Sequence, residues 1–379
     1  MPIETLEPEP AEAVPHSDVR KVIPPWSWVV PVAAWLAIAL VGPGMAGGGG
    51  MLLLGAALFA TVFAAVHHAE VIAHRIGEPF GTLVLALAVT VIEVALIVSI
   101  MLSAKGTHEA SLARDTVFAA VMLVCNGVLG LCLLVAGIRF GEPVFRARAA
   151  SSYLAVLAVL ATASLVLPEF THSAPGPVYT HAQLIFVAVV AVVLYGVFLF
   201  VQTVRHRDYF LPAGADARDA HAAPPSTLAT GIAALILPVA LGAVVLLAKT
   251  LSPELEAAMR AANVAEPAAA VGVVVAALVL LPEAVSAVRA ARVNRLQTSV
   301  NLALGSALAS IALTIPAVAA VALWTGQPLT LGLGDTGLVF LALTFVVTTL
   351  TLSSGRATIL QGAIHLAILA LFLFLVIVP

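Results

Sequence analysis

Residues 82–103, TLVLALAVTVIEVALIVSIMLS, form a long apolar run in which the one charged side chain is Glu93. About 20 predominantly apolar residues are enough for an α-helix to cross the hydrocarbon core of a bilayer. This stretch is therefore predicted to form a transmembrane helix. A carboxylate near the centre of such a helix costs roughly 2.5–3.5 kcal/mol on insertion scales, so we expect Glu93 to have a function there.

The rest of the chain has the same apolar character. Of its 379 residues, 61% are hydrophobic and 10% are charged, and the formal net charge is −3. Soluble domains carry about 25% charged residues, so this chain has too few charges to cover the surface of a soluble protein. Soluble enzymes and nucleic-acid-binding proteins are thereby excluded. The fold class is predicted to be an all-α polytopic membrane protein.

Apolar runs separated by glycine, proline and charged residues predict eleven transmembrane helices. They cover residues 26–41, 52–73, 82–103, 115–138, 151–168, 182–203, 228–250, 268–288, 298–323, 336–353 and 357–378. Residues 1–25 carry five acidic residues and do not read as a secretory signal, so they are predicted to form a disordered cytoplasmic tail. Residues 42–50 include four consecutive glycines and are predicted to be a flexible connection.

The basic residues predict the orientation, because cytoplasmic segments of membrane proteins carry an excess of lysine and arginine. With the N-terminus inside the cell, thirteen of the seventeen basic residues fall in cytoplasmic segments. The four that fall outside are Lys105, Arg114, Lys249 and Arg260. We therefore predict a multi-pass protein of the plasma (inner) membrane with a cytoplasmic N-terminus and an external C-terminus.

Ten of the helices divide into two halves. The helix at residues 26–41 is extra, the first five-helix repeat covers residues 52–203, and the second covers residues 228–379. A polar cytoplasmic linker, residues 204–227, joins them. Because each half has an odd number of helices, the halves enter the membrane in opposite directions. Inverted repeats recur in secondary transporters, with the substrate site near the midplane between them.

Glu93 and Glu283 are the two acidic residues that lie well inside apolar segments, each on the second helix of its half. They are either buried acids that lock helix packing or a site for a cation and protons. Nearby polar side chains favour the cation site. The side chains expected to add oxygen ligands are Thr90, Asn126, Ser306 and Ser310.

Two such carboxylates suit a competition between a cation and protons. Calcium prefers six to eight hard oxygen ligands, and two carboxylates balance the charge of one divalent ion. A pocket that holds either the cation or protons, and that opens to each side in turn, is an antiporter. We expect calcium first, and sodium or potassium second, to be exchanged for protons, with no resident cofactor.

Four stretches resemble the calcium/cation antiporter superfamily, in particular the bacterial calcium/proton exchangers that also move sodium or potassium. They are residues 77–101 (GEPFGTLVLALAVTVIEVALIVSIM), 114–134 (RDTVFAAVMLVCNGVLGLCLL), 202–210 (QTVRHRDYF) and 304–316 (LGSALASIALTIP). The resemblance implies two inverted five-helix repeats plus an extra first helix, with Glu93 and Glu283 as the paired cation ligands. Many members have Gly-Asn four and three residues before each glutamate. This chain has other residues there: Val89, Thr90, Val279 and Leu280.

Two further groups of polar residues have open interpretations. His67, Glu70 and His74 share one face at the predicted cytoplasmic end of the second helix. They are a structural metal site, a solvated cluster, or a site of proton access or gating, which the resemblance favours. Thr358, Gln361 and His365 share a face of the last helix, where they either pack through hydrogen bonds or relay protons.

The rival functions are a sodium (potassium)/proton antiporter without calcium transport, a passive cation channel and an intramembrane enzyme. No HExxH, GxSxG or DDxxD motif occurs in the chain, which disfavours the enzyme. A channel differs from an antiporter because it cannot drive a cation uphill on a pH gradient. The expected partners are membrane lipids, inorganic cations and protons, and no nucleic acid.

Overall fold

The computed structural model describes residues 19–40, 48–77, 80–103, 111–210, 224–264 and 267–378. Over these residues the chain forms long helices at all eleven predicted positions. We number them in chain order. They are α1 Pro25–Leu40, α2 Gly48–Ile76, α3 Phe80–Ser103, α4 Leu112–Phe140, α5 Ala147–Phe170, α6 His181–Arg205, α7 Thr227–Ala261, α8 Pro267–Arg292, α9 Leu296–Thr325, α10 Asp335–Ser353 and α11 Ile359–Ile377.

Nine of these helices, α2 and α4 to α11, are long and apolar enough to cross a membrane, judged on the length and composition of the described residues. Shorter apolar segments are α1, with 16 residues, and the part of α3 over Leu87–Val98. Three helices contain π-helical turns: α4 at Leu123–Val128, α5 at Thr162–Val166 and α6 at Val201–Arg205. Such turns are frequent at functional sites.

Four of the segments differ from the predictions by more than small shifts of the helix ends. The predicted tail contains a short helix, Val19–Val22, and its residues 1–18 lie outside the described residues. The last three residues of the glycine linker form the first turn of α2, and the central linker contains a second short helix, Arg207–Phe210. Helix α7 continues beyond residue 250 to Ala261, where an ion pair between Glu256 and Arg260, one turn apart, stabilises the added turns.

The helix contacts have an inverted pairwise pattern. The first helices of the two halves, α2 and α7, pack along each other. The second helix of each half packs on the third helix of the other, α3 on α9 and α8 on α4. The fifth and third helices pair in the same crossed manner, α6 with α9 and α11 with α4. This reciprocity is the contact pattern of two inverted repeats.

The buried apolar side chains form two main clusters. One gathers α4 to α6 and α9 to α11, and the other gathers α1, α2 and α7. The helices α3 and α8 contribute to both: on α3, Ile92 belongs to the second cluster and Ile97 to the first, and on α8, Val279 belongs to the second and Leu280 to the first. The second helix of each half therefore lies at the seam between two packed bodies.

Candidate cation site

Glu93 lies on α3 and is buried, with 2% of the residue exposed. It is embedded between apolar neighbours, because Ile92 and Leu96 are also buried. The hydroxyl of Ser310 on α9 donates a hydrogen bond to Oε2 of Glu93. The other carboxylate oxygen, Oε1, is buried and has no hydrogen-bond partner among the described residues. The carboxylate is thus anchored at one oxygen and open at the other.

The polar stripe on α9 faces this carboxylate. Ser306, Ser310 and Thr314 are spaced four residues apart and so lie on one face of the helix. Ser306 is half-buried, and Ser310 and Thr314 are buried. Thr314 lies close to the Glu93 carboxylate, yet its buried hydroxyl oxygen has no hydrogen-bond partner in the described part of the chain. Two turns of α9 therefore present hydroxyl oxygens to one carboxylate.

Glu283 supplies the second carboxylate from α8. The residue is half-buried, and its Oε2 is buried without a hydrogen-bond partner among the described residues. Its carboxylate is near enough to those of Glu93 and Glu70 to interact with both electrostatically. The structure therefore brings together the two acidic residues that the sequence singled out. They come from different halves of the chain, at the seam between the two apolar clusters.

Unsatisfied oxygens mark the centre of this site. A buried polar group without a hydrogen bond costs free energy, about 1–3 kcal/mol for a neutral group and more for a charged one. Three such oxygens occur here, on Glu93, Glu283 and Thr314. Hard oxygen donors of this kind are the ligands of calcium and similar cations, and protons on the carboxylates would satisfy the same sites. These oxygens can therefore bind a cation at one time and, on the carboxylates, protons at another.

The other predicted ligands lie at different distances from this centre. Thr90 is buried on α3, one turn before Glu93. Asn126 is fully buried in the π-helical turn of α4, but its amide nitrogen donates to Oγ1 of Thr344 on α10 at 2.9 Å, and its amide oxygen lies 3.2 Å from Nδ1 of His365 on α11. The structure therefore bonds Asn126 to α10 and α11 and to neither glutamate.

The histidine cluster on α2 divides into anchored and exposed residues. His67 Nε2 donates to the carbonyl oxygen of Val22 at 2.9 Å. Glu70 is exposed and is near enough to His67, Arg289 and Glu283 to interact electrostatically with all three. His74 is exposed. Among the described residues, no group of three His, Cys, Asp or Glu side chains is arranged to hold a metal ion. Glu70 is thus an exposed acid within electrostatic reach of Glu283.

Several buried polar residues were not predicted from the sequence, among them His68 on α2 and three threonines on α10. His68 is fully buried, and its Nε2 donates to the carbonyl oxygen of Ser27 at 2.9 Å, which fixes α1 to α2. On α10 the buried threonines are spaced by four and three residues, a pattern that is visible in the sequence once α10 is recognised as a helix. They are Thr344, Thr348 and Thr351.

Comparison with known proteins gives consistent matches over both halves. A family model described as sodium/calcium exchanger protein matches residues 47–204 and 232–378, which leaves out α1 and most of the central linker. A putative ionic transporter, y4hA, of Sinorhizobium fredii is 51% identical over 367 residues, covering 94% of this chain and 97% of the relative. The sodium-potassium/proton antiporter ChaA of Escherichia coli is 34% identical over 319 residues, covering 83% of this chain and 85% of the relative.

Solved structures show the same fold at low sequence identity. The H+/Ca2+ exchanger CAX superposes with a TM-score of 0.69 at 14% identity, over 94% of this chain and 89% of that one. YfkE superposes with a TM-score of 0.67 at 18% identity, over 96% of this chain and all of that one. The resemblance seen in the sequence is thereby confirmed. The chain belongs to the sodium/calcium exchanger family, within the calcium/cation antiporter superfamily.

Proposed function

We propose that the protein exports a cation in exchange for protons, by alternating access at a site formed by Glu93 and Glu283. The observation that carries this proposal is the pair of carboxylates at the seam, one from each half, each with one buried oxygen that has no hydrogen-bond partner among the described residues. Membership of an exchanger family agrees with it. An intramembrane enzyme has no comparable support, because this family is one of transporters.

The exchange follows from the electrostatics of the pair. Two ionised carboxylates in a low-dielectric interior repel each other, and leaving both uncompensated is costly. One divalent cation, or two protons, neutralises the pair. Since both occupy the same oxygens, binding of the cation releases protons and binding of protons releases the cation. This competition couples the movement of the cation in one direction to the movement of protons in the other.

Alternating access requires two bodies that move against each other. The two apolar clusters provide such bodies, and the helices that bear the glutamates contribute to both. The body of α1, α2 and α7 covers the α3–α8 pair on one side, and the exposed Glu70 on α2 is near enough to Glu283 to interact with it electrostatically. A shift of this body along the seam would open the site first to one side and then to the other.

Two cation preferences have support. Two carboxylates balance the charge of one calcium ion, and the solved structures with this fold include an H+/Ca2+ exchanger. The relative in Escherichia coli is named a sodium-potassium/proton antiporter, and this chain lacks Gly-Asn before each glutamate. We propose calcium as the first substrate and sodium or potassium as the second. Exchange of sodium or potassium alone is the rival.

Everted membrane vesicles with an imposed proton gradient test this proposal. Calcium, sodium and potassium are added separately, and dissipation of the gradient is followed with a pH-sensitive dye. We expect calcium to collapse the proton gradient. We also expect calcium uptake to stop when a protonophore removes the proton gradient. Vesicles without the protein are the control. Uptake that continues unchanged without a gradient would indicate a channel, and a response to sodium or potassium alone would support the rival.

A further inference from the structure

A second polar cluster lies where α4, α10 and α11 meet. His365 is fully buried and is hydrogen bonded through both ring nitrogens, Nδ1 to the amide oxygen of Asn126 at 3.2 Å and Nε2 to Oγ1 of Thr351 at 3.1 Å. Because an amide oxygen only accepts, Nδ1 is the donor. The Asn126 amide nitrogen donates to Thr344 and also contacts the sulfur of Met122 at 3.8 Å. Both ends of the Asn126 side chain are therefore held.

Close backbone packing fixes the cluster in place. A Cβ added at Gly130 of α4 would lie 2.8 Å from Cβ of His365, and a Cβ added at Gly362 of α11 would lie 2.5 Å from the backbone nitrogen of Leu134. Both distances are shorter than real Cβ contacts. The helix α11 thus lies against the backbone of α4 at the level of His365, which aims the imidazole at Asn126.

The carboxylates of Glu93 and Glu283 differ in their hydrogen bonding to the opposite half of the chain. In one pairing, α9 packs on α3 and its Ser310 donates to Glu93. In the reciprocal pairing, α8 packs on the π-helical turn of α4 that contains Asn126, yet Oε2 of Glu283 has no partner among the described residues. Asn126 carries the amide of that turn, and its hydrogen bonds go to α10 and α11 instead. A hydrogen bond from Asn126 to Glu283 would match the one from Ser310 to Glu93, but Asn126 is bonded to α10 and α11 instead.

We propose that His365 is a positioning residue for the cation site. It holds the Asn126 amide in hydrogen bonds with α10 and α11, and it thereby leaves Glu283 available to the transported cation. This inference rests on the proposed function. Without His365, the Asn126 amide turns towards α8 and donates to Glu283, and a cation must then displace this hydrogen bond before it binds.

His365→Leu tests the proposal, because leucine retains the bulk and removes both hydrogen bonds. Reconstituted wild type and variant are compared for cation-driven proton exchange. A hydrogen bond to a charged group is strong enough to raise KM about tenfold, so we expect that rise with little change in maximal rate. His365→Gln keeps polar groups that can reach the same partners, and it should restore a KM near that of the wild type.

A double variant distinguishes positioning from a general effect on packing. In an Asn126→Leu background no amide remains to compete, so His365→Leu should no longer raise KM. An unchanged KM in the single variant, or the same rise in both backgrounds, would overturn the proposal. If His365→Leu does not fold, Thr344→Val releases the other end of Asn126 and should raise KM in the same way.

A binding measurement separates this inference from the proposed function. Calcium raises the Tm of a purified protein that binds it, and the concentration that gives half of the rise reports affinity without transport. His365→Leu should shift that concentration about tenfold upwards, in line with KM. A wild type that binds calcium but exchanges none would contradict the proposed function, and the binding comparison would then decide the role of His365. Equal half-rise concentrations in wild type and variant would contradict the inference alone.

Discussion

Ser310→Ala removes the hydrogen bond that α9 donates to Oε2 of the Glu93 carboxylate. The residue is buried, with 4% exposed, and its hydroxyl donates to Oε2, while Oε1 already lacks a partner. A hydrogen bond to a charged group contributes about 1.5–3 kcal/mol. The bond stabilises the ionised, cation-binding form of Glu93 while leaving Oε1 open to the cation. Loss of the bond should therefore raise the cation KM by roughly tenfold to 150-fold. The maximal rate should change much less.

The assay is proton exchange in proteoliposomes over a range of cation concentrations, with wild type and variant reconstituted at equal density. Thr325→Ala is the matched control, because its hydroxyl lies on the same helix and bonds to the carbonyl of Val321 at 2.8 Å, far from the glutamates. The control should leave KM unchanged. A Ser310→Ala protein with the KM of the wild type would show that the Ser310 hydrogen bond does not contribute to cation affinity, and would contradict the prediction.

Three further predictions concern access, packing and orientation. Glu70→Gln removes an exposed negative charge that attracts cations near Glu283, so exchange at low cation concentration should slow several-fold and recover at saturation. Equal rates at low concentration would exclude an access role. Gly362→Ala places a Cβ 2.5 Å from a backbone atom of α4 and should lower the Tm in detergent by destabilising the fold about 1–3 kcal/mol, whereas Gly196→Ala, which meets nothing within 4 Å, should not. A reporter fused after Pro379 should be active outside the cytoplasm, and cytoplasmic activity would contradict the predicted orientation.

The helices were largely predictable from the sequence because each needs a long apolar run, and glycine, proline and charge separate those runs. The end of α7 was not, because the polar residues after 250 read as a loop. Their helix continues the preceding turns, and the exposed pair Glu256 and Arg260 adds only a small stabilisation. Propensity within a short polar segment does not reveal such continuity.

The two carboxylates of the site were predictable from the sequence, whereas the contacts of its neutral polar residues were not. Glu93 and Glu283 stand out because carboxylates are rare in apolar helices. The placement of Asn126 depends on which face of α4 meets which neighbour, and one helix does not show this. His68 was overlooked because its partner is a backbone carbonyl 41 residues earlier, and a backbone carbonyl has no signature in the sequence. Tertiary contacts decide these cases.

Glu93 and Glu283 together are proposed to carry the exchanged cation and the protons. Exchange by reconstituted Glu93→Gln and Glu283→Gln proteins tests this role, with Glu142→Gln as the matched control. Glu142 is an exposed acid, and its ion pair is with Arg356 at 3.2 Å. We predict that either site variant inserts normally and exchanges no cation, while the control exchanges at the wild-type rate. Full exchange by either site variant would contradict the claim.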